Sequence, residues 1–365
     1  MNQSIAVVGG GSIGIAWSIV FARAKRPVML YEPDDARREL AHDDVMRRLR
    51  ALAAHDLLDE SPGDVVARIE PVGNLSAAAR GVSYVQECAP ENLDLKRSLF
   101  QELEEIVAPD AVLASSSSAI PPSLLAAAVR DPSRVLVAHP GNPPYLLPVV
   151  ELVPSPVTAA TTLDRAHALL ESVGVSPVRL HKEVEGFVFN RLQGAVLREA
   201  YCLVRDGVVD PRDVDKVMRD GLGRRWAFLG PFETVELNTE GGVDAHATRM
   251  GPAYARMGAE RGQHDPWTEA MVAQVSEAVQ SRFPRDRWRD HVLWRDSVLM
   301  ALEAFYRRTP LLSGPAAAEP ADGGGASTSG ENDPGAARDV GAARTAGAAN
   351  ATKKRAGNVG EKGDR

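Results

Sequence analysis

Apolar and polar positions fall in alternating blocks along the first half of the chain. Residues 4–8 form a short, β-rich apolar run ended by glycines, the pattern of a buried strand. Residues 13–24 carry apolar side chains at helical spacing without a proline, and 26–31 again read as a strand. Strand, helix and strand within about 30 residues make a βαβ unit with a right-handed crossover. The charged stretch 34–58 has helical period. Strand-like runs at 82–88, 111–115 and 135–139 then alternate with helical ones at 93–107 and 122–129. A proline-rich interruption at 143–148 precedes a strand at 149–153, a helix at 163–172 and a strand at 178–180. Such alternation predicts an α/β fold with a doubly wound parallel Rossmann-type sheet.

After Gly186 the period becomes helical throughout. Helices are predicted at 187–206, at 211–221 with Asp210 as N-cap and Pro211 in the first turn, at 267–283 and at 288–306. The organisation expected is therefore a sheet domain over 1–185 and an all-helical C-terminal domain over 186–312. The stretch 313–365 contains no aromatic residue and is rich in Gly, Ala and Pro. It cannot bury enough apolar surface to offset the entropy of ordering, so it is expected to be a disordered tail.

Composition narrows the function classes. A chain of 365 residues is long enough for two domains, and 44% hydrophobic with 25% charged residues is globular. The net charge of −7 argues against a general nucleic-acid partner. No apolar run approaches the roughly 20 residues of a membrane helix, and none reads as a secretory signal. The two cysteines, Cys88 and Cys202, lie in no C-x-x-C pair and read as small core residues rather than a disulfide or zinc site. A cytoplasmic location and no metal are the expectations.

Gly9-Gly10-Gly11-Ser12-Ile13-Gly14 is G-x-G-x-x-G between the first strand and the first helix, the context a dinucleotide site requires. Gly9 permits the tight turn, Gly11 lets backbone approach a pyrophosphate, and Gly14 allows close helix–strand packing. The helix start, with Ser12 and Ile13, offers free N–H groups and partial positive charge to phosphates. Glu32 ends the second strand, where a carboxylate accepts hydrogen bonds from the adenosine ribose and repels a 2′-phosphate. No arginine follows it directly, so NAD is expected over NADP.

His139 ends a predicted strand, where open parallel sheets place their ligands, and Glu151 lies on the next strand. A carboxylate on one imidazole nitrogen fixes the tautomer and makes the other nitrogen a better base. From spacing alone, a chance pairing of His and Glu remains open.

Further motifs occur in order: Glu87-Cys-Ala-Pro-Glu91 to Lys96, the run Ser115-Ser-Ser-Ser118, His139-Pro-Gly-Asn-Pro, Glu151, and Gly186-Phe-Val-Phe-Asn190-Arg191. Together they resemble the 3-hydroxyacyl-CoA dehydrogenase superfamily over residues 4–308. Val150-Glu-Leu-Val-Pro154, Asp220-Gly-Leu-Gly-Arg-Arg225 and the serine triplet Ser116 to Ser118, where acyl-CoA members carry Asn-Thr-Ser, resemble its lambda-crystallin branch, that of L-gulonate 3-dehydrogenase. The resemblance implies His139 as general base or acid with Glu151 orienting it. It implies that Ser118 bonds the reacting hydroxyl and that Asn190 holds the substrate oxygen and the histidine. It gives Glu91 and Lys96 the nicotinamide-side ribose. Gly141 stands where that branch carries a larger apolar residue, and is expected to enlarge the pocket or loosen its loop.

Arg225 is a candidate for binding a substrate carboxylate bidentately. The function expected is NAD-dependent hydride transfer on a small 3-hydroxy acid such as L-gulonate. A 3-hydroxyacyl-CoA substrate, and hence fatty acid metabolism, is the alternative. The branch resembled also includes an abundant lens protein, so an NADH-binding role without catalysis is the alternative of another class. The resemblance implies a homodimer through the helical domain.

Overall fold

The computed structural model describes residues 4–227, 230–238, 242–262, 270 and 284–308. The tail expected at 313–365 lies outside the described residues, as does the helix expected at 267–283 apart from Ala270. Eight strands form one sheet: β1 Ile5–Val8, β2 Val28–Tyr31, β3 Ile69–Val72, β4 Tyr84–Glu87, β5 Val112–Ser115, β6 Val135–Pro140, β7 Val149–Pro154 and β8 Ser176–Arg179. Their order is β3-β2-β1-β4-β5-β6-β7-β8. Winding reverses between β1 and β4, which opens a crevice at the carboxyl ends of those strands.

The first six strands are parallel, as the alternation predicts. At β7 the sheet departs from expectation: β7 runs antiparallel to β6, and β8 parallel to β7. Only eight residues separate β6 from β7. That suffices for a hairpin, whereas a parallel crossover needs about a dozen residues or more. Strand β3 gave no usable pattern, because it is four residues long, lies at the sheet edge and contains Pro71.

Helices cover both faces. They are α1 Ser12–Arg23, α2 Asp35–Ala53, α3 Pro62–Val66, α4 Leu75–Ala79, α5 Leu93–Ile106, α6 Pro122–Ala126 and α7 Ala160–Ser172. Side chains of Asp34 and Asn92 cap α2 and α5 by accepting from Arg37 N and Leu95 N. The strand period of two splits the core. Ile5 and Val7 of β1 pack with Trp17, Phe21 and Leu30 on one face. Ala6 and Val8 pack with Val85, Phe100, Leu103 and Leu113 on the other.

The second half is helical: α8 Phe189–Arg205, α9 Pro211–Val217, a π-turn at Met218–Leu222, α10 Gly223–Trp226, α11 Pro231–Asn238, α12 Gly242–Arg261 and α13 Trp288–Arg308. The helix expected at 211–221 thus passes into α10 through the π-turn. Gly223 is needed there, since a Cβ on it would lie 2.7 Å from the Met218 carbonyl oxygen. Met300 and Ala304 of α13 are buried in the core that holds Trp17 and Leu30, so the helical half shares a core with the sheet.

Candidate active site

The glycine loop joins β1 to α1 at the crevice. Gly9 has φ +110, and a Cβ on it would meet the Cys88 carbonyl oxygen at 2.8 Å. At Gly14 a Cβ would lie 1.8 Å from the Gly9 carbonyl oxygen. The protein's own backbone therefore demands glycine at both positions. Gly11 differs, because a Cβ there would meet nothing within 4 Å. Packing does not require glycine at that point, whereas a ligand drawn close to the backbone does. No side chain caps α1, and no acid sits in its first turn, so the N–H groups of Ser12 and Ile13 remain for an anion. Arg48, which sequence reading passed over, reaches from α2 to the same turn: Nη1 donates to the Ser12 carbonyl at 3.3 Å and Nη2 to its hydroxyl oxygen at 3.2 Å. These residues fit the pyrophosphate of a dinucleotide. Glu32 is buried, accepts from Gly10 N at 2.9 Å and Asp34 N at 3.1 Å, and so also braces the loop.

Changing Gly14 to Ala is expected to weaken NADH binding by roughly two orders of magnitude, the equivalent of about 3 kcal/mol. Fluorescence titration with NADH reads this, and an unchanged Kd would show that the loop absorbs the methyl group.

His139 and Glu151 are cross-strand partners in the β6–β7 hairpin. The ring Nδ1 lies 2.8 Å from Glu151 Oε2, and Nε2 lies 3.1 Å from the Ser118 hydroxyl. The other carboxylate oxygen, Oε1, accepts from Val188 N at 2.7 Å and Phe189 N at 3.0 Å. Glu151 thus caps the start of α8, which no side chain of its own caps. Both oxygens of the carboxylate accept, so Nδ1 carries the ring hydrogen and Nε2 presents its lone pair to Ser118. Phe187 and Phe189 wall the imidazole, with ring centroids 5.4 and 6.3 Å away. Phe187 holds φ +50 just after Gly186 at φ +74, a turn that brings its ring inward. Asn190, on α8, donates from Nδ2 to the Ser118 carbonyl at 3.2 Å. It steadies the Ser118 backbone and makes no hydrogen bond to the histidine among the described residues.

Burial pushes the Glu151 carboxyl up, but the hydrogen bonds from His139, Phe189 N and Val188 N outweigh it and hold the group below its ordinary value. A carboxyl depressed in the fold adds stability that is complete above the unfolded value, about 4.3, and is lost as pH falls through the folded one. The wild type is expected to melt above Glu151→Gln by a gap on the order of 3 °C at neutral pH. That gap should close in acid, and one independent of pH would contradict the sign.

Glu91 accepts from the Ser117 hydroxyl, Ser118 N at 3.1 Å and Ala119 N at 3.0 Å. It holds the loop that carries Ser118, a role spacing did not reveal. Lys96 departs from the resemblance. It is 1% exposed, and Nζ donates to Glu87 Oε1 at 2.8 Å, Glu87 Oε2 at 2.9 Å and the Ala89 carbonyl at 2.9 Å. An ammonium has three hydrogens, so none is left for a ribose hydroxyl. Lys96 is instead an internal support, 3.6 Å from Glu91 Oε2.

Gly141 also departs from expectation. A Cβ on it would meet Leu147 Cβ at 2.9 Å and the Leu147 carbonyl oxygen at 3.1 Å, while its N–H donates to Val149 O at 2.9 Å. Leu147 fills the space, so the glycine neither widens a pocket nor loosens the loop. Gly141→Val is expected to destabilise by about 2 kcal/mol through overpacking, read from denaturant unfolding. A neutral result would mean that Leu147 gives way.

Arg225 lies exposed on α10, and among the described residues no hydrogen bond or ion pair joins it to His139, Glu151, Ser118 or Asn190. Among the described residues no cluster of His, Cys, Asp or Glu could hold a metal, and no helix is long and apolar enough to cross a membrane. A cavity of about 230 Å³ beside Arg23, Tyr145 and Arg307 is lined by none of the His139 cluster.

Known proteins bear on this arrangement. Residues 4–184 match the NAD-binding domain of 3-hydroxyacyl-CoA dehydrogenase, and 186–289 match its C-terminal domain. Lambda-crystallin of Oryctolagus cuniculus is 40% identical over 310 residues, covering 83% of this chain and 96% of the relative. The 3-hydroxyacyl-CoA dehydrogenase of Gibberella moniliformis is 34% identical over 327 residues, covering 86% and 98%. Among solved structures, FHMPC 5-dehydrogenase, an NAD+-dependent dismutase, superposes with TM-score 0.65 at 27% identity, over 86% of this chain and 99% of that one. Matched in order over both halves, and with NAD as the cofactor of its first half, the chain belongs to the 3-hydroxyacyl-CoA dehydrogenase family.

Proposed function

We propose that the protein oxidises the 3-hydroxyl of a small free hydroxy acid, of the L-gulonate kind, with His139 as base. The observation that carries this reading is the imidazole held between Glu151 and Ser118, with Nε2 turned toward the serine. NAD, when bound, would supply the acceptor for the hydride of the carbinol carbon. The glycine loop and the α1 N-terminus would hold its phosphates, and Glu32 its adenosine ribose. Ser118 hydrogen-bonds the substrate hydroxyl, and His139 Nε2 takes the hydroxyl proton. Glu151 stabilises the imidazolium that forms, and the two phenylalanine rings keep water from it. In the reverse direction the same nitrogen returns the proton.

The free-acid reading is supported by the motifs that resemble the L-gulonate 3-dehydrogenase branch and by the pyridine carboxylic acid named for FHMPC 5-dehydrogenase. The Gibberella enzyme supports a thioester as the second reading. Arg225 is carried as the contact for a free carboxylate. The test is NAD reduction followed by NADH absorbance, with L-gulonate beside 3-hydroxybutyryl-CoA and His139→Ala as control. Turnover of gulonate with a raised KM in Arg225→Ala supports the proposal. Turnover of the thioester alone replaces it with the second reading. NADH binding without turnover of either favours the non-catalytic role.

A homodimer through the helical half belongs to the same proposal. Along α8, Leu192 is 59% exposed, and Val196 and Leu197 are exposed beside it. Leu192→Asp is expected to halve the mass seen by light scattering, and a monomeric wild type would remove the idea. A cytoplasmic location is proposed with it, consistent with Cys88 and Cys202 forming no disulfide.

A further inference from the structure

The run Ser115 to Ser118 gives each serine a different partner. Ser115 donates to Glu87 at 2.6 Å, Ser117 donates to Glu91, and Ser118 meets His139. Ser116 has no part in the chemistry described above, yet it is the most connected of the four. Its hydroxyl oxygen receives Trp17 Nε1 at 3.2 Å and Gln86 Nε2 at 2.7 Å, and lies 3.2 Å from Cys88 Sγ.

Donor and acceptor chemistry sets the direction of the bonds in this cluster. Indole N–H only donates. Gln86 Nε2 also faces the Ala138 carbonyl at 3.4 Å, which only accepts, so the amide nitrogen is on that side. Its oxygen therefore accepts from the Tyr84 hydroxyl at 2.8 Å. Two donors fill both lone pairs of Ser116, so its proton must leave along the third direction, toward the Cys88 sulfur. Cys88 in turn points its thiol at the Gln86 carbonyl at 3.7 Å. Trp17, Tyr84 and Gln86 are all buried, and stacking of Trp17 on Phe21 with a centroid distance of 5.4 Å fixes the indole.

The chain of bonds joins four pieces that the reaction must keep in register. Trp17 sits on α1, whose first turn is the phosphate site. Gln86 and Cys88 flank the end of β4. Ala138 immediately precedes His139, and Ser116 lies two residues before Ser118. We propose that Ser116 is a positioning residue: pinned by Trp17 and Gln86, it fixes the catalytic serine loop against the cofactor helix and so sets Ser118 on His139. This rests on the active-site reading above, but not on which substrate is turned over.

The test is a double-mutant cycle of Ser116→Ala and Trp17→Phe, which keeps an aromatic ring beside Phe21 and removes the indole N–H together with the second ring. Two readouts are taken: kcat on whichever substrate the panel identifies, and hydrogen–deuterium exchange over the peptide spanning residues 112–122. Each single variant is expected to lower kcat by roughly tenfold or more and raise exchange in that peptide. NADH affinity by fluorescence titration should stay within about threefold, which also reports that the variants fold. Because both remove the same link, the double variant should do little more than either single one, and Ser116→Thr, which keeps the hydroxyl, should restore both readouts. Additive losses, unchanged exchange, or a Ser116→Thr that behaves as alanine would each overturn the proposal. If neither substrate is turned over, the exchange cycle still decides this inference, so its failure is separate from failure of the functional reading.

Discussion

Replacing His139 with alanine is expected to lower kcat by roughly a thousandfold while leaving NADH affinity within a fewfold of the wild type. The imidazole is 5% exposed, and no other described group pairs with the Ser118 hydroxyl as its Nε2 does. On the proposed mechanism, its loss leaves the substrate proton without an acceptor, and water is a poor substitute between Phe187 and Phe189. The cofactor loop lies at the other side of the crevice and shares no hydrogen bond with His139 among the described residues, which is why binding should survive. Stopped-flow NADH formation beside a fluorescence titration separates the two. A variant that retained more than about a tenth of wild-type turnover would mean that another base takes the proton.

Glu151→Gln is expected to be nearly as damaging to turnover, for a different reason. The amide oxygen would keep the Val188 and Phe189 N–H groups, so the cap on α8 survives. The amide nitrogen would then face His139 Nδ1 and donate to it. That forces the ring hydrogen onto Nε2 and turns the base into a donor. An acid-to-amide change of this kind costs a catalytic triad about 10⁴ in kcat through the wrong tautomer. Here roughly 10³ is expected, with only the few-degree loss of melting temperature described above. Combining the change with His139→Ala should cost little beyond the histidine alone, because the carboxylate acts through the ring. A Glu151→Gln enzyme with near-normal kcat would show that the tautomer is set elsewhere.

How much of this was legible depended on whether a feature was local. The glycine loop could be read because a strand, a turn and a helix follow one another within a few residues, and Gly9 and Gly14 each answer to a nearby backbone clash. Spacing alone left the partnership of His139 with Glu151 open and only the resemblance implied it; the chain reversal at β7 puts them side by side. Periodicity carries no sign for strand direction, so an antiparallel strand reads like a parallel one; only the shortness of the intervening loop held the information. The resemblance gave Lys96 to the nicotinamide-side ribose, and its burial against Glu87, nine residues earlier on β4, left no mark in the spacing. The capping of α8 by Glu151 joins residues 37 and 38 positions apart and left no trace in composition or period.

The β6–β7 hairpin has a consequence for how this enzyme can diverge. The paired backbone of His139 and Glu151 holds the dyad, and the segment between the strands contributes no atom to it. The ladder pairs all lie outside 142–146, whereas a one-residue slip inside either strand would throw one partner to the opposite face of the sheet. The tip of the hairpin, on its packed base of Gly141 and Leu147, is therefore separable in sequence from the strands that hold the dyad.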